Sequence, residues 1–424
     1  MAPGHRDGSQ GVVGVEVVRQ RCAGIDVSKR DGKVCVRVQG RGSTRTSSRV
    51  TTWSSSMPAI LQLREKLVAD GVELVVLEST SDYWRPFFYV LSEQLDVMLV
   101  KASDVRAMPG RKSDVSDAEW LADLAAHGLV RASFVPPEDI RQLRDLTRSR
   151  TILVAERTRE VQRLEKELED ACIKLSAVVT KLQGVSARMM LEALVNRESD
   201  PAVMADLAQG RMRTKIDQLT EALTGRFNDH HRFMVSFRLQ RIDQTNADIA
   251  QLDRRIDQLI AQHGYAPTLD LLQSIPGLGK HGSEELLAEI GADMTVFPSP
   301  AHLASWVGVA PGSHESAGVK KRVKTRPGNR YAKRALGIAA MSAARSKTTF
   351  LSARFRRLRG RHGYSKALVA TEHSIVTAIW HILTNGDYYH DLGNDYYTRR
   401  SPERTIRRKI KDLEAAGYAI TRTA

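Results

Sequence analysis

The chain has 424 residues, with 64 Lys or Arg against 49 Asp or Glu, a net charge of +15 and a pI near 9.8. Its 42% hydrophobic content supports two or three cored domains, and so basic a chain usually meets a polyanion, most often nucleic acid. No apolar run approaches the ~20 residues of a membrane span. The N-terminal MAPGHRDGSQGVVGVEVV lacks the unbroken apolar stretch of a signal peptide. Cys22, Cys35 and Cys172 show no CxxC or Cys/His spacing, which argues against zinc and a disulfide framework and suits a reducing cytoplasm.

In chain order, residues 1–20 read as a loose extension. Residues 21–135 read as an α/β domain. RCAGIDV and KVCVRVQ flank the turn SKRDG, a hairpin signal, giving two or three strands before residue 52. A helix near 58–69, the apolar strand VELVVL (72–77), a helix near 83–93 and the strand DVMLV (96–100) follow. A helix from Asp114 to about His127 closes the domain, with Ser113 as a candidate N-cap, and VPPED marks a boundary.

Residues 136–265 read as helical. Val161, Leu164, Leu168, Ala171, Leu175, Val178 and Leu182 keep 3-4 spacing, a coiled-coil seam. Ile242, Thr245, Ile249, Leu252, Ile256 and Leu259 repeat it. The two runs could pair within one chain, as an antiparallel hairpin, or between chains. From 266 to 386 the texture changes. SIPGLGKHGSEELLAEIG has the glycine turns of a helix-hairpin-helix, which presents backbone N–H groups to phosphates. Residues 316–371 hold sixteen Lys or Arg and no acid, whereas a solvated helical face mixes signs. That composition points to a phosphate backbone, with Lys320, Lys321, Arg322, Lys324, Arg326, Arg330, Lys333 and Arg334 as candidate contacts. The tail, 387–424, is aromatic and polar before a charged helix.

Four acids sit in or beside apolar segments: Asp26 in CAGIDVSK, Glu78 ending VELVVLE, and Asp114 and Asp117 in KSDVSDAEWLADLAA. Buried carboxylates are costly unless paired or bound to metal. With Asp114 at 0° on a helix, Asp117 falls at about −60°, Leu121 at about −20° and Ala125 at about 20°, so both aspartates share the apolar face. Ser116, Glu119 and Asp123 fall opposite. The set reads as an oxygen-only site for Mg²⁺ or Mn²⁺ in phosphoryl transfer. An Asp on a first strand beside a hairpin is typical of RNase H-like nucleases. An actin-like ATPase, where a GID motif also meets phosphates, would need a second Gly-rich phosphate loop not found here.

GIDVSK, LEST with SDYW, and KSDVSDAEWLADL resemble the DEDD transposases of insertion-sequence family one-ten, relatives of the Piv invertase. IPGLGKHGSEELLAEIG, HLASWVGVAPGSHESAG and RPGNRYAKRAL resemble the second half of the same signature, in the family's order. The resemblance covers roughly residues 22–385. It implies an RNase H-like (RuvC-like) N-terminal domain, a coiled-coil linker and a mainly helical C-terminal transposase domain. It carries the catalytic and metal-binding tetrad to Asp26, Glu78, Asp114 and Asp117, and the nucleophile to Ser316 of ESAG, where Ala317 replaces the commoner Gly. Chemistry alone does not separate Ser316 from Ser313; the motif does. The resemblance further implies a homo-oligomer, dimer to tetramer, with one subunit's carboxylates meeting another's serine, and a non-coding bridge RNA that pairs with donor and target DNA.

The leading expectation is a cytoplasmic insertion-sequence transposase acting as a site-specific DNA recombinase through a phosphoserine intermediate. The alternatives are a RuvC-like junction endonuclease with water as nucleophile and a nucleic-acid-binding scaffold with a degenerate site.

Overall fold

The computed structural model describes residues 16–40, 46–79, 81–102, 105, 116–312, 315–316, 319–320, 325 and 327–420, with only the backbone at 315–316, 319–320 and a few positions beyond 403. The chain forms two compact units, Met1–Val135 and Pro136–Ala424.

The first unit is built on a sheet of β1 (Arg21–Val27), β2 (Asp31–Val38), β3 (Ser47–Ser54), β4 (Leu74–Glu78) and β5 (Val97–Val100). Its order is β3-β2-β1-β4-β5; β1, β2 and β3 pair antiparallel, and β4 pairs parallel with both β1 and β5. SKRDG makes the expected hairpin turn, with the Ser28 amide donating to the Asp31 carbonyl at 2.8 Å and the Ser28 hydroxyl to its carboxylate at 2.7 Å. Alternation along the strands sorts the side chains between two faces. Ala23, Ile25, Val34, Val75, Leu77 and Leu99 bury against α1 (Met57–Ala69) and α2 (Trp84–Leu91). Cys22, Leu74, Val76 and Val100 bury against α3 (Asp117–Ala126) through Trp120, Leu121, Leu124 and Ala125.

Gly24 sets the distance between α3 and the sheet. A Cβ there would stand 2.2 Å from the Ala118 carbonyl oxygen and 2.4 Å from the Ala122 nitrogen. Backbone atoms on a packed helix cannot yield cheaply. Gly24→Ala is therefore expected to destabilise the first unit by about 3 kcal/mol or more, at the upper end of overpacking effects. Urea unfolding followed at the buried Trp120 measures it; a loss below ~1 kcal/mol would contradict this packing.

In the second unit, α4 (Glu138–Asp170) and α9 (Asp229–Gln262) lie antiparallel. Arg150 meets Asp253 at 2.9 Å, Arg157 meets Asn246 at 2.9 Å, and His231 meets Asp170 at 2.9 Å. The pairing left open by the sequence is thus made within one chain. The run from Ile242 to Leu259 faces inward along α9. The other run is a correction: α4 ends at Asp170, and Cys172 takes a left-handed φ of 59°. Beyond it the run continues without the helix. Ala171, Leu175 and Leu182 stay in one core with Leu164 and Leu168 of α4 and Leu239 and Ile242 of α9, now shared with residues of α5 (Leu175–Val178), α6 (Val185–Val195), α7 (Pro201–Asp206) and α8 (Ile216–Leu223). The Arg226 amide donates to the Ala171 carbonyl at 2.7 Å, and Gly225 lies so close that a Cβ would be 2.5 Å from the same oxygen. Tertiary capture by this lobe, invisible to periodicity, stops the helix.

The rest is α10 (Ala266–Gln273), α11 (Lys280–Ile290), α12 (Pro300–Val307), the strands β6 (Glu315–Ser316) and β7 (Val319–Lys320), α13 (Arg330–Arg345), α14 (Phe350–His362), α15 (Tyr364–Asn385), α16 (Tyr396–Arg400) and α17 (Pro402–Ala415). The PGLG turn joins α10 to α11, with Gly277 at φ 98°. A Cβ on Gly277 would lie 2.3 Å from the Ala339 carbonyl, so the turn sits directly on the alanine face of α13. The aromatic tail folds back on α14: Phe350 packs edge-on against Tyr396, and its amide donates to the Asp391 carboxylate at 3.0 Å. No helix among the described residues is long and apolar enough to cross a membrane.

Candidate active site

Asp26 and Glu78 come together through strand register. Ile25 pairs with Leu77 across the parallel β1–β4 ladder, so the next residues, Asp26 and Glu78, are neighbours at the C-terminal ends of adjacent central strands. Both follow the alternation of Cys22 and Gly24, and of Leu74 and Val76, and so lie on the α3 face. Glu78 is 8% exposed. Asp117 is the first residue of α3, whose next turn packs on Gly24, so it enters from the helix side. The helix N-terminus favours its negative charge. Burial raises the Asp26 carboxyl above its ordinary value, and the Asp117 charge raises it further; Lys33, opposite it on β2, pulls the other way.

The local helix differs from expectation. Its N-cap is Ser116, which accepts from the Glu119 amide at 3.3 Å while its own amide donates to the Glu119 carboxylate at 3.1 Å, a capping box. Ser113, the expected cap, lies outside the described residues, and the described helix begins at Asp117. Asp114 lies outside the described residues. Asp123, opposite the apolar face on the wheel, takes an ion pair from Arg37 at 3.1 Å, with Arg37 8% exposed on the same sheet face. Alternation in DGKVCVRV puts Lys33, Cys35 and Arg37 on one side, so the sequence carried the signal for cations facing the carboxylates. Burial pushes the Cys22 and Cys35 thiols up to about 11, leaving them inert.

An oxygen-only donor set with Asp26 and Asp117 in mutual repulsion suits a hard divalent cation. Among the described residues, no three His, Cys, Asp or Glu side chains are grouped as metal ligands.

The serine belongs to the second unit. Gly308 ends α12 in the left-handed conformation, φ 86°. The chain then forms the antiparallel β6–β7 ladder, in which Ser316 pairs with Val319. It returns at Gly328, where a Cβ would lie 2.3 Å from the Val307 backbone, and the Asn329 amide donates to the Trp306 carbonyl at 3.2 Å. Asn329 caps α13 and donates its side-chain amide to Glu289 at 2.6 Å. Glu289, 1% exposed, also receives both arms of Arg148 at 2.7 and 2.8 Å. The foot of the serine loop is thus anchored to α4 and α11.

The candidate phosphate contacts divide. Arg330 is exposed, its guanidinium 4.8 Å over the Tyr331 ring. Arg334 pairs with Glu285 at 3.0 Å. Lys333 donates to the Gly308 carbonyl at 3.1 Å and to the Thr325 hydroxyl at 2.9 Å. Lys321, Arg322, Lys324 and Arg326 lie outside the described residues, and of Lys320 only the backbone is described. Not singled out from sequence were Arg356, Arg357, Arg359 and Arg361, all exposed on α14, with Arg357 4.3 Å over Tyr397.

Two family models match: a DEDD transposase model over residues 23–173 and the "Transposase IS116/IS110/IS902 family" over residues 269–355. The chain belongs to the IS110 family of transposases. Like its family it is an enzyme, a DNA transposase of the recombinase type. The "Insertion element IS900 uncharacterized 42 kDa protein" of Mycobacterium paratuberculosis is 26% identical over 87% of this chain and 96% of its own length. The "Insertion element IS110 uncharacterized 43.6 kDa protein" of Streptomyces coelicolor is 28% identical over 66% of this chain and 73% of its own. The "Pilin gene-inverting protein" of Moraxella bovis is 40% identical over 20% of this chain and 26% of its own.

Proposed function

We propose that this IS110-family transposase breaks and rejoins DNA through a protein–DNA phosphoserine intermediate, with Ser316 as nucleophile and Asp26, Glu78, Asp114 and Asp117 as the assisting carboxylates. The observation that carries the reading is the joint placement of Asp26, Glu78 and Asp117 at one end of a sheet and of Ser316 in the ladder of an anchored hairpin. The first unit is read as RNase H-like, supported by its β3-β2-β1-β4-β5 order with three antiparallel and two parallel strands at the other side.

In the reaction, the Ser316 oxygen bonds to a DNA phosphorus as the P–O3′ bond breaks; the departing 3′ oxygen takes a proton and becomes a hydroxyl. A serine hydroxyl needs a base to accept its proton. Metal coordination of the hydroxyl or a carboxylate of the tetrad would provide that activation. Mg²⁺ or Mn²⁺ held by the four carboxylates would supply Lewis-acid stabilisation of developing phosphoryl charge. Reversal by a new 3′-hydroxyl rejoins the strands without net hydrolysis, as an isoenergetic exchange of phosphodiesters.

The exposed arginines of α14, with Arg330, form the nucleic-acid face. In this reading DNA is joined by a guide RNA that pairs with donor and target, and subunits assemble as dimers to tetramers in the cytoplasm so that one chain's carboxylates meet another's serine. The test is incubation of the purified protein, with its co-purifying RNA, with end-labelled donor DNA and Mg²⁺, then denaturing gels. Label that migrates with the protein, and disappears on chelation, is the expected result. Metal-dependent cleavage with no protein-linked label would replace this reading with that of a hydrolytic nuclease.

A further inference from the structure

Sixteen residues, 309–324, separate Gly308 from Thr325 and include the β6–β7 ladder with Ser316. The two ends meet at one cation. Lys333, half-buried on α13, donates to the Gly308 carbonyl at 3.1 Å and to the Thr325 hydroxyl at 2.9 Å. Two of its three donor positions are thereby committed inside the protein. Behind it on α15 stands Glu372, 5% exposed, with one oxygen 3.5 Å from where a Gly337 Cβ would lie and the other without a hydrogen-bond partner among the described residues. Burial raises the Glu372 carboxyl, and the Lys333 charge opposes that rise. The acid that ends the long basic stretch thus lies within electrostatic reach of this lysine. Gly337, with no side chain, leaves Glu372 the room to lie against α13.

We propose that Lys333 is a positioning residue of the transposition centre: it ties Gly308 to Thr325 and so fixes the two legs of the hairpin that carries Ser316. This rests on the reading of Ser316 as nucleophile and replaces the phosphate contact that the composition suggested for Lys333. A clamp at the loop's foot acts on the rate after DNA binds, because misplacing a nucleophile by about 1 Å costs on the order of 100-fold. A phosphate contact would act on binding itself and on its salt dependence.

The test uses the full-length protein as Lys333→Met, Lys333→Arg and Thr325→Val, with three readouts. For Lys333→Met, protein-linked DNA per bound complex is expected to form about 10–100-fold more slowly. DNA affinity and its salt slope should stay at the wild-type values. Tryptic cleavage within residues 320–326 should speed up about tenfold, following the local opening equilibrium. Lys333→Arg should recover most of the loss, and Thr325→Val, which removes one partner, should shift rate and cleavage in the same direction by a smaller factor. A salt slope reduced by about one, with an unchanged rate per bound complex, overturns the proposal in favour of a phosphate contact. Unchanged tryptic cleavage overturns it too. If Lys333→Met does not fold, Thr325→Val decides alone by the same criteria. Protein-linked DNA that persists in Ser316→Ala defeats the nucleophile reading only; the cleavage rates still judge the clamp.

Discussion

Ser316→Ala is expected to abolish protein-linked DNA, by at least about 10⁴-fold, the scale seen when a catalytic nucleophile is removed. DNA affinity should change less than about twofold, since the substitution removes one uncharged hydroxyl and leaves the exposed arginines of α14 in place. The asymmetry follows from where the serine sits. Ser316 pairs with Val319 in the β6–β7 ladder, and the foot of its loop is held by Gly328 against Val307, by Asn329 against Glu289, and by Arg148 against the same carboxylate. Loss of the hydroxyl removes chemistry and leaves the scaffold. A water-using nuclease gives another pattern: cleavage survives Ser316→Ala and is lost with Asp26→Ala or Asp117→Ala. A binding scaffold gives no product from any variant. Quantified gel bands over a time course separate the three.

Asp26→Asn is expected to lower the rate by about 10³-fold or more while making the first unit more stable in metal-free buffer at neutral pH. The sign follows from linkage. Burial and the Asp117 charge raise the Asp26 carboxyl in the folded state, so the folded state holds that proton more tightly than the unfolded chain does. The side chain is neutral and without cost below the ordinary carboxylate range. Its cost grows as pH rises out of that range and is complete above the raised folded-state value. Asparagine never ionises and escapes the cost. Asp26 is only partly buried, so the gain is about 1 kcal/mol or less. Millimolar Mg²⁺ should reverse the ranking: it stabilises the wild type by mass action, about 2.7 kcal/mol at one hundred times Kd, and Asp26→Asn far less. Thermal unfolding at pH 7 with and without Mg²⁺ checks both halves. A less stable Asp26→Asn in chelator would show that Asp26 is a structural partner and no strained ligand.

Much of the first unit was legible because its signals are local. The SKRDG turn, the alternation in KVCVRV and the apolar VELVVL each specify a strand, and register alone then brings Asp26 beside Glu78. The helix cap was misplaced because SDVSDAE offers two serines with an acid downstream; Glu119 closes a capping box with Ser116, and that choice is made by α3 packing onto Gly24. Asp123 falls opposite the apolar face on a helical wheel, yet α3 is buried nearly all round, so that side is packed too. The end of α4 at Asp170 was illegible because the apolar spacing runs on through Leu182, and only the docking of residues 173–226 redirects it. In the basic stretch, composition gave the charge but not its use. Lys333 turns inward to Gly308 and Thr325 and Arg334 pairs with Glu285 at the surface, while Arg356, Arg357, Arg359 and Arg361 stay in solvent. Charge counting cannot separate a cation that holds a loop from one that holds a phosphate.

The most direct test of the serine chemistry is to trap the protein–DNA adduct, digest both polymers and locate the residual nucleotide by peptide mass spectrometry. The expected result is a phosphodiester-linked nucleotide on Ser316, carried through its 5′ phosphate. A nucleotide on Ser313 or any other residue, or ends released with no protein attached, would contradict it.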